Sequence, residues 1–381
     1  MKKHKILFIA RKYPSSKNPI AGIFIKEHAK AVSLYEEVIV ITAEYDRGLE
    51  NLYRINSTIE DGIRVLRVSY RKSPIPKTTY FIYLWAILAT FRTIRKEGWV
   101  PDIIHAHIYS EGVPAIILKK LYGIPVVVSE HFSSFPRGMI RGFEKIKAIF
   151  ALNNANLVIS VSRNLVEHLK LFGIKNRFIV IPNTVDTKVF YPPVEKRSRT
   201  TWRFLFVASL IPRKGIPYLL ESIAILKEKR NDFVLEIVGD GPYRNKYEKY
   251  ANELGIKDKV NFNGWKTKRE IAQFMRDADV FVLSSIWENL PCVLIEAMTS
   301  GLPIIATKIC GIPEIMNKRT GIMVPPKDKE ALSSAISYML DHAQNYSKAQ
   351  IASYAKKKFS FEVIGKQFAD IYKELLNKKR I

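Results

Sequence analysis

Along the chain, short runs that are apolar at nearly every position alternate with longer stretches whose apolar residues recur every three or four positions. The short runs fall at residues 5–10, 38–42, 63–69, 102–107, 126–131, 157–162 and 178–182, and most are rich in Val and Ile. A strand that is apolar on both sides is covered on both faces, as in a parallel sheet layered between helices. Helical spacing fills residues 22–34 and 162–172. This β–α alternation predicts a doubly wound parallel sheet.

The pattern stops over residues 183–201, where Pro192, Pro193 and the charge run 195–199 show no period, as in a linker. It resumes with strands at 202–209, 233–239, 260–264, 280–285 and 303–307 and helices at 217–229, 243–254 and 268–277. Thr267 and Glu270 are spaced as a capping box for the last of these. A final helical stretch covers residues 361–376. The reading is α/β, with two Rossmann-like, doubly wound domains facing across a cleft, residues 1–188 and residues 189–360. Ligands of open α/β sheets bind beyond the carboxyl ends of the strands, so the residues just after each strand are the ones to inspect.

Composition excludes several classes. With 47% apolar and 25% charged residues the chain is neither disordered nor fibrous. Its two cysteines, Cys292 and Cys310, cannot build a disulfide framework and lack zinc-motif spacing. They read as reduced, mostly buried thiols. Lys and Arg number 61 against 36 Asp and Glu, a net charge of +25 spread over both halves. That excess points to an anionic partner, whether nucleic acid, an acidic membrane face or a phosphorylated substrate, or else to a solubility effect alone. The basic start resembles a signal peptide, but Arg11 and Lys12 end its apolar stretch after five residues. The apolar run 80–91 is shorter than the ~20 residues of a spanning helix. A cytoplasmic protein is expected, with peripheral contact to the inner face of the cell membrane left open.

Chemistry gathers at the predicted strand ends. In the second domain, Glu288 precedes and Glu296 lies within a helix that follows the strand 280–285, and Pro291 suits its first turn. Eight residues at a ~1.5 Å rise span about 12 Å, roughly the reach from a nucleotide ribose to a sugar across a diphosphate. A capping glutamate and a solvated helix glutamate would satisfy the same spacing. Arg213, Lys214 and Gly215 follow the strand 202–209 and suit a diphosphate, although no Walker loop is present. Gly239 and Gly241 allow close backbone approach, or only a strand-ending turn. In the first domain Gly22 opens a helix soon after the first strand, and His105, His107 and His131 close two others. No further ligands with metal spacing accompany the histidines. Asp277 and Asp279 match an Asp-x-Asp metal motif but fall where a helix gives way to a strand, and are read as that junction.

Taken in order, these residues resemble glycosyltransferase family 4, the retaining sugar-nucleotide transferases of GT-B fold. The resemblance runs from the Gly22 loop through Asp102–Glu130–His131, Asn183–Asp186, Arg213–Lys214–Gly215 and Gly239–Gly241 to Glu288–Glu296, Gly311–Glu314 and Gly321–Pro326. It implies a two-domain fold whose last helix, 361–381, packs back on the first domain. It also implies transfer of a sugar from a UDP- or GDP-sugar to a hydroxyl, without metal or other cofactor. By resemblance, Lys214 with Arg213 binds the donor diphosphate, Glu296 the ribose and Glu288 the donor sugar. Asn289 and Leu290 offer backbone N–H groups to phosphate, His131 faces the reacting sugar, and Gly22 and Gly239 let backbone approach the donor. Ala208 and Ser209 stand where many relatives have Gly-Arg, so the usual second diphosphate arginine is absent. Asn289 and Thr184 each replace a common glycine.

The implied acceptor is a glycan or a lipid-linked molecule bound by the first domain. There the apolar run 80–91 is flanked by Arg71, Lys72, Lys77, Arg92, Arg95 and Lys96, and residues 137–147 mix basic and apolar side chains at helical spacing. Such segments suit an anionic membrane surface, or a core helix with a basic edge. A non-catalytic nucleotide-sugar-binding subunit and a sugar-nucleotide epimerase of the same fold are the alternatives. The dispersed basic residues and the lack of a recognised motif speak against nucleic acid.

Overall fold

The structure, a computed structural model, describes residues 3–16, 18–75, 78–193 and 201–378. The chain divides into two compact units, Met1–Thr184 with Phe361–Ile381, and Val185–Ser360.

The first unit is built on a sheet of β1 (Lys5–Ala10), β2 (Glu37–Asp46), β3 (Tyr53–Glu60), β4 (Ile63–Arg71), β5 (Ile103–His107), β6 (Val126–Glu130), β7 (Leu157–Ser160) and β8 (Phe178–Val180). The strand order is β3-β4-β2-β1-β5-β6-β7-β8. β3 pairs antiparallel with β4 and the other pairings are parallel. β5, β6 and β7 are buried at every position, which explains their unbroken apolar runs. β3 lacks such a run because it is a mostly exposed edge strand. It turns into β4 through Asp61 and Gly62, both at positive φ (48° and 79°), the backbone of a two-residue hairpin.

The helices Ile23–Ser33 and Phe361–Lys378 pack together in this unit. A Cβ on Gly365 would lie 2.1 Å from the Ala31 carbonyl oxygen, so glycine is what lets the two approach. Phe368 and Tyr372 of the last helix join Phe8, Val40, Val127 and Ile159 in one core. Each such side chain contributes roughly 1.5–3 kcal/mol on burial.

The second unit holds an all-parallel sheet of β9 (Trp202–Val207), β10 (Phe233–Val238), β11 (Val260–Phe262), β12 (Val280–Leu283), β13 (Ile304–Thr307) and β14 (Gly321–Val324). Its order is β11-β10-β9-β12-β13-β14. Successive connections run outward from β9 in one direction and from β12 in the other, so the order reverses between these strands. β14, which the pattern analysis did not predict, is a four-residue strand beginning at glycine; a Cβ on Gly321 would meet the Ile304 carbonyl oxygen at 1.9 Å.

The division falls at Thr184 and Val185, a little before the expected residue 188. Val185 forms a bridge with Ser360 and Phe190 is fully buried, so this part of the expected linker is built into the second unit. The charge run 195–199 and Lys77 lie outside the described residues. Asp279 accepts a hydrogen bond from the Arg203 N–H (2.8 Å), and Asp277 ends its helix, which is the helix-to-strand junction expected. The capping box of Thr267 and Glu270 is present. Among the described residues Cys292 and Cys310 form no disulfide, and both are only half-buried, more open than expected.

Candidate active site

In the second unit, three strand-end loops are knitted together where the strand order reverses. After β9, the turn Pro212–Lys214 leads through Gly215 into the helix Ile216–Lys227. A Cβ on Gly215 would sit 1.9 Å from the Ser284 carbonyl oxygen, so only glycine permits the loops after β9 and β12 to touch. Ser284 Oγ donates to the Lys214 carbonyl (3.0 Å) and the Ile286 N–H donates to the Arg213 carbonyl (2.7 Å). Gly239, after β10, lies equally close to the Ala208 carbonyl oxygen (1.9 Å for a Cβ).

This scaffold presents an ion pair. Lys214 Nζ donates to Glu288 Oε1, and Ser285 Oγ donates to the same oxygen at 2.9 Å. The two side chains are only 12% and 8% exposed, so the pair is largely shielded from solvent. Sequence reasoning placed these residues in one site but gave them separate ligands, and the structure brings them into direct contact. Arg213 is half-buried beside them, and Asn289 and Leu290 are buried in the loop. The Gly311 N–H fixes that loop by donating to the Asn289 carbonyl (3.0 Å).

The following helix is Cys292–Thr299, with Pro291 at its N-cap and no side chain capping it. Pro291 therefore stands just before the helix, not in its first turn. Residues 288–291 are non-helical, and the 12 Å helical rise does not apply between Glu288 and Glu296. Glu296 lies half-buried within the helix. An uncapped N-terminus presents N–H groups and the positive end of the helix dipole, which suits an anion.

In the first unit the carboxyl ends of β5 and β6 carry a stack of histidines. His105 and His107, two residues apart on β5, point to one face of the sheet. His105 is held between Ser129 Oγ (2.7 Å) and the Tyr372 hydroxyl (2.6 Å), so the last helix positions it. His107 Nδ1 lies 3.3 Å from His131 Nε2, and the rings stack at 19°. His28, from the helix Ile23–Ser33, completes the group, its ring centroid 5.6 Å from that of His131. Burial holds all four imidazoles below their usual pKa, His28 at about 4, and all are neutral at pH 7. His28 was not singled out from the sequence. A histidine inside an amphipathic helix carries no local signal.

The half-buried His131 is aimed by its neighbour. The buried Glu130 carboxylate accepts N–H bonds from His131 and Phe132 (2.8 Å each) and from Tyr109 (3.0 Å), tying the loop after β6 to the helix after β5. Burial pushes its pKa up to about 7 despite those bonds. Ile108, between His107 and that helix, sits at φ 78°, ψ 148°, a costly position for a β-branched residue, and is anchored by its N–H to the Ser129 carbonyl (2.7 Å). Gly22 caps the helix Ile23–Ser33 at φ 64°, and a Cβ there would meet the Lys12 carbonyl oxygen at 2.0 Å. The glycines at 22 and 239 are thus both demanded by the chain's own backbone.

The apolar run 80–91 lies in the helix Thr78–Lys96, which buries Tyr83, Ala86, Ile87 and Phe91 while Phe81 and Trp85 stay exposed. Of residues 137–147, only those from Gly142 onward are helical, in Gly142–Asn154; Arg137 and Gly138 end a turn and 139–141 are irregular. Lys147 Nζ lies over the rings of Tyr80 (4.4 Å) and Phe143 (5.3 Å), joining the two helices. No helix among the described residues is long and apolar enough to cross a membrane.

Comparison with known proteins agrees with this picture. Residues 29–189 match the family model described as Glycosyltransferase Family 4, and residues 190–358 that of Glycosyl transferases group 1. The alpha-D-kanosaminyltransferase of Streptomyces kanamyceticus is 30% identical over 321 residues, 77% of this chain and 81% of that protein. The UDP-Gal:alpha-D-GlcNAc-diphosphoundecaprenol alpha-1,3-galactosyltransferase of Escherichia coli is 29% identical over 283 residues, 67% and 70% of the two chains. The solved structure of sucrose-phosphate synthase from Thermosynechococcus elongatus is similar with a TM-score of 0.80 at 21% identity, over 99% of this chain and 100% of that one. With family matches spanning both units and this fold, the chain belongs to the family 4, group 1 glycosyltransferases of GT-B fold.

Proposed function

We propose that this glycosyltransferase moves a sugar from a UDP- or GDP-sugar to a hydroxyl of a lipid-linked or polysaccharide acceptor, with retention of anomeric configuration. The observation that carries the reading is the Lys214–Glu288 pair, set at the strand-order reversal in front of an uncapped helix N-terminus. A donor diphosphate has the charge to take Lys214 from Glu288. The freed carboxylate then accepts from the sugar hydroxyls, and Glu296 accepts from the ribose. As the bond from the anomeric carbon to the phosphate oxygen breaks, negative charge grows on the leaving diphosphate. Lys214, Arg213 and the helix N-terminus oppose it by preorganised electrostatics. The acceptor oxygen bonds to the anomeric carbon and its proton passes to the leaving phosphate. His131 is assigned to the sugar.

The acceptor class rests on two supports. One is the relative whose name specifies a diphosphoundecaprenol acceptor. The other is the exposed face of Phe81, Trp85, Phe143 and Ile146 among Arg92, Arg141 and Lys145, which suits an anionic bilayer.

The test is nucleotide release from UDP-, GDP- and ADP-sugars in the presence of a polyprenyl-diphosphate-sugar acceptor, with the product anomer read by NMR. One nucleotide class should turn over with retention. Full activity in a Glu288→Ala, Glu296→Ala double variant would overturn the assignment.

A further inference from the structure

The histidine cluster has a property that the transfer reading does not use. His28, His107 and His131 each offer a ring nitrogen, and the three nitrogens lie within 4.8 Å of one another. His28 and His107 are fully buried, and neither ring nitrogen of His28 meets a hydrogen-bond partner among the described residues. An unpaired buried imidazole nitrogen is costly, and a ligand that takes its lone pair removes that cost. We infer that His28, His107 and His131 form a binding site for one divalent transition-metal ion of the zinc class, with a fourth position left open.

The chemistry of the donors selects the ion. Three neutral imidazoles with no carboxylate among them suit Zn²⁺, Co²⁺, Ni²⁺ or Cu²⁺, and disfavour Mg²⁺ and Ca²⁺, which need oxygen ligands. Two nitrogens bound to one tetrahedral Zn²⁺ at about 2.0–2.1 Å stand roughly 3.3 Å apart. His107 Nδ1 and His131 Nε2 already have that spacing, 3.3 Å. The ligand nitrogen that His28 offers lies within 4.8 Å of those of His107 and His131. The wall of the site is apolar: the Phe24 ring centroid lies 4.5 Å from that of His131, Phe368 5.2 Å from His28, and Phe8 4.6 Å from His107. Such a wall orients the rings and shields the ion, while the half-buried His131 supplies the side open to solvent.

A metal held here occupies His131. If His131 acts on the sugar as proposed above, the ion is a reversible inhibitor of transfer. Metal binding itself does not depend on that reading, and the two can fail separately.

The experiment is a Co²⁺ titration of the full chain, stripped of metal by chelator, followed by its visible absorption and by equilibrium dialysis. One equivalent should bind with the intense d–d bands of a four-coordinate ion, Zn²⁺ should displace it, and Mg²⁺ should not. His28→Phe and His107→Phe should each weaken binding by at least about tenfold. Should either fail to fold, His131→Ala, at a half-buried position, makes the same comparison. Absence of the bands, or unchanged binding in the His28→Phe, His107→Phe double variant, overturns the site. Co²⁺ bound at the site with sugar transfer undiminished would keep the site and remove His131 from the reaction.

Discussion

The carboxyl ends of β5 and β6, beside the reversal of strand order between β1 and β5, and those of β9 and β12, which flank the reversal in the second sheet, carry opposite chemistry. The first presents neutral, mostly buried imidazoles packed on phenylalanine and pinned by the Tyr372 hydroxyl. The second presents a lysine and a glutamate in direct contact at an uncapped helix N-terminus. Topology decides where a ligand sits on such a sheet, and the side chains at the strand ends decide which part of a ligand it can meet. A neutral, apolar wall suits a sugar ring, and a charged loop suits a diphosphate.

The largest expected effect breaks the charged region. Glu288→Ala should lower turnover by on the order of 10²–10³, the range for losing a preorganised polar group at a reacting centre. Donor affinity should change much less, as single-turnover kinetics would separate. Lys214→Ala should do the reverse for binding, and in the donor-free protein it strands the Glu288 carboxylate without its cation. A loss of about 3 kcal/mol by urea unfolding is expected, with much less in a Lys214→Met, Glu288→Gln double variant.

The neutral region yields a pH signature instead. Burial raises the Glu111 carboxyl to about 7 from an ordinary 4.5. Between these values the folded chain keeps a proton that the unfolded chain releases. Stability from this group is therefore full below about pH 4.5 and is lost as pH rises through 7, by roughly 3 kcal/mol in total. Glu111→Gln should flatten that part of the stability–pH curve; an unchanged slope would show that Glu111 titrates normally.

A smaller effect sharpens the role of Glu130. Removing it in Glu130→Ala leaves three N–H groups without their acceptor and should cost about 2 kcal/mol. Glu130→Gln, which keeps an acceptor oxygen, should cost less. The smallest effect concerns the surface. Trp85→Ser with Phe143→Ser should reduce flotation with anionic liposomes at low salt while leaving the melting temperature nearly unchanged.

Most of the fold was legible because β1, β5, β6, β7, β9 and β12 are buried on both faces and so read as unbroken apolar runs. β3 was missed because its exposed edge position removes that run, although Asp61-Gly62 is a hairpin signal that could have revealed it. β14 was missed because four residues are too few to show a period. In the charged region the residue types and spacing pointed to one site, but no sequence rule pairs Lys214 with a residue 74 positions away. In the neutral region His107 and His131 were visible at strand ends, whereas His28 and the strain at Ile108 arise only from tertiary packing. The glycines at 22 and 239 were noticed for a ligand, and the nearer cause is the chain's own carbonyl groups.

The most direct test of the central claim is thermal stabilisation by UDP and GDP of the wild type, Lys214→Ala and Glu296→Ala. A nucleotide that binds only the folded chain adds about 2.7 kcal/mol at 100 times its Kd. The charged region predicts that gain for one nucleotide in the wild type and its loss in both variants. Equal stabilisation of all three proteins, or none by either nucleotide, would contradict it.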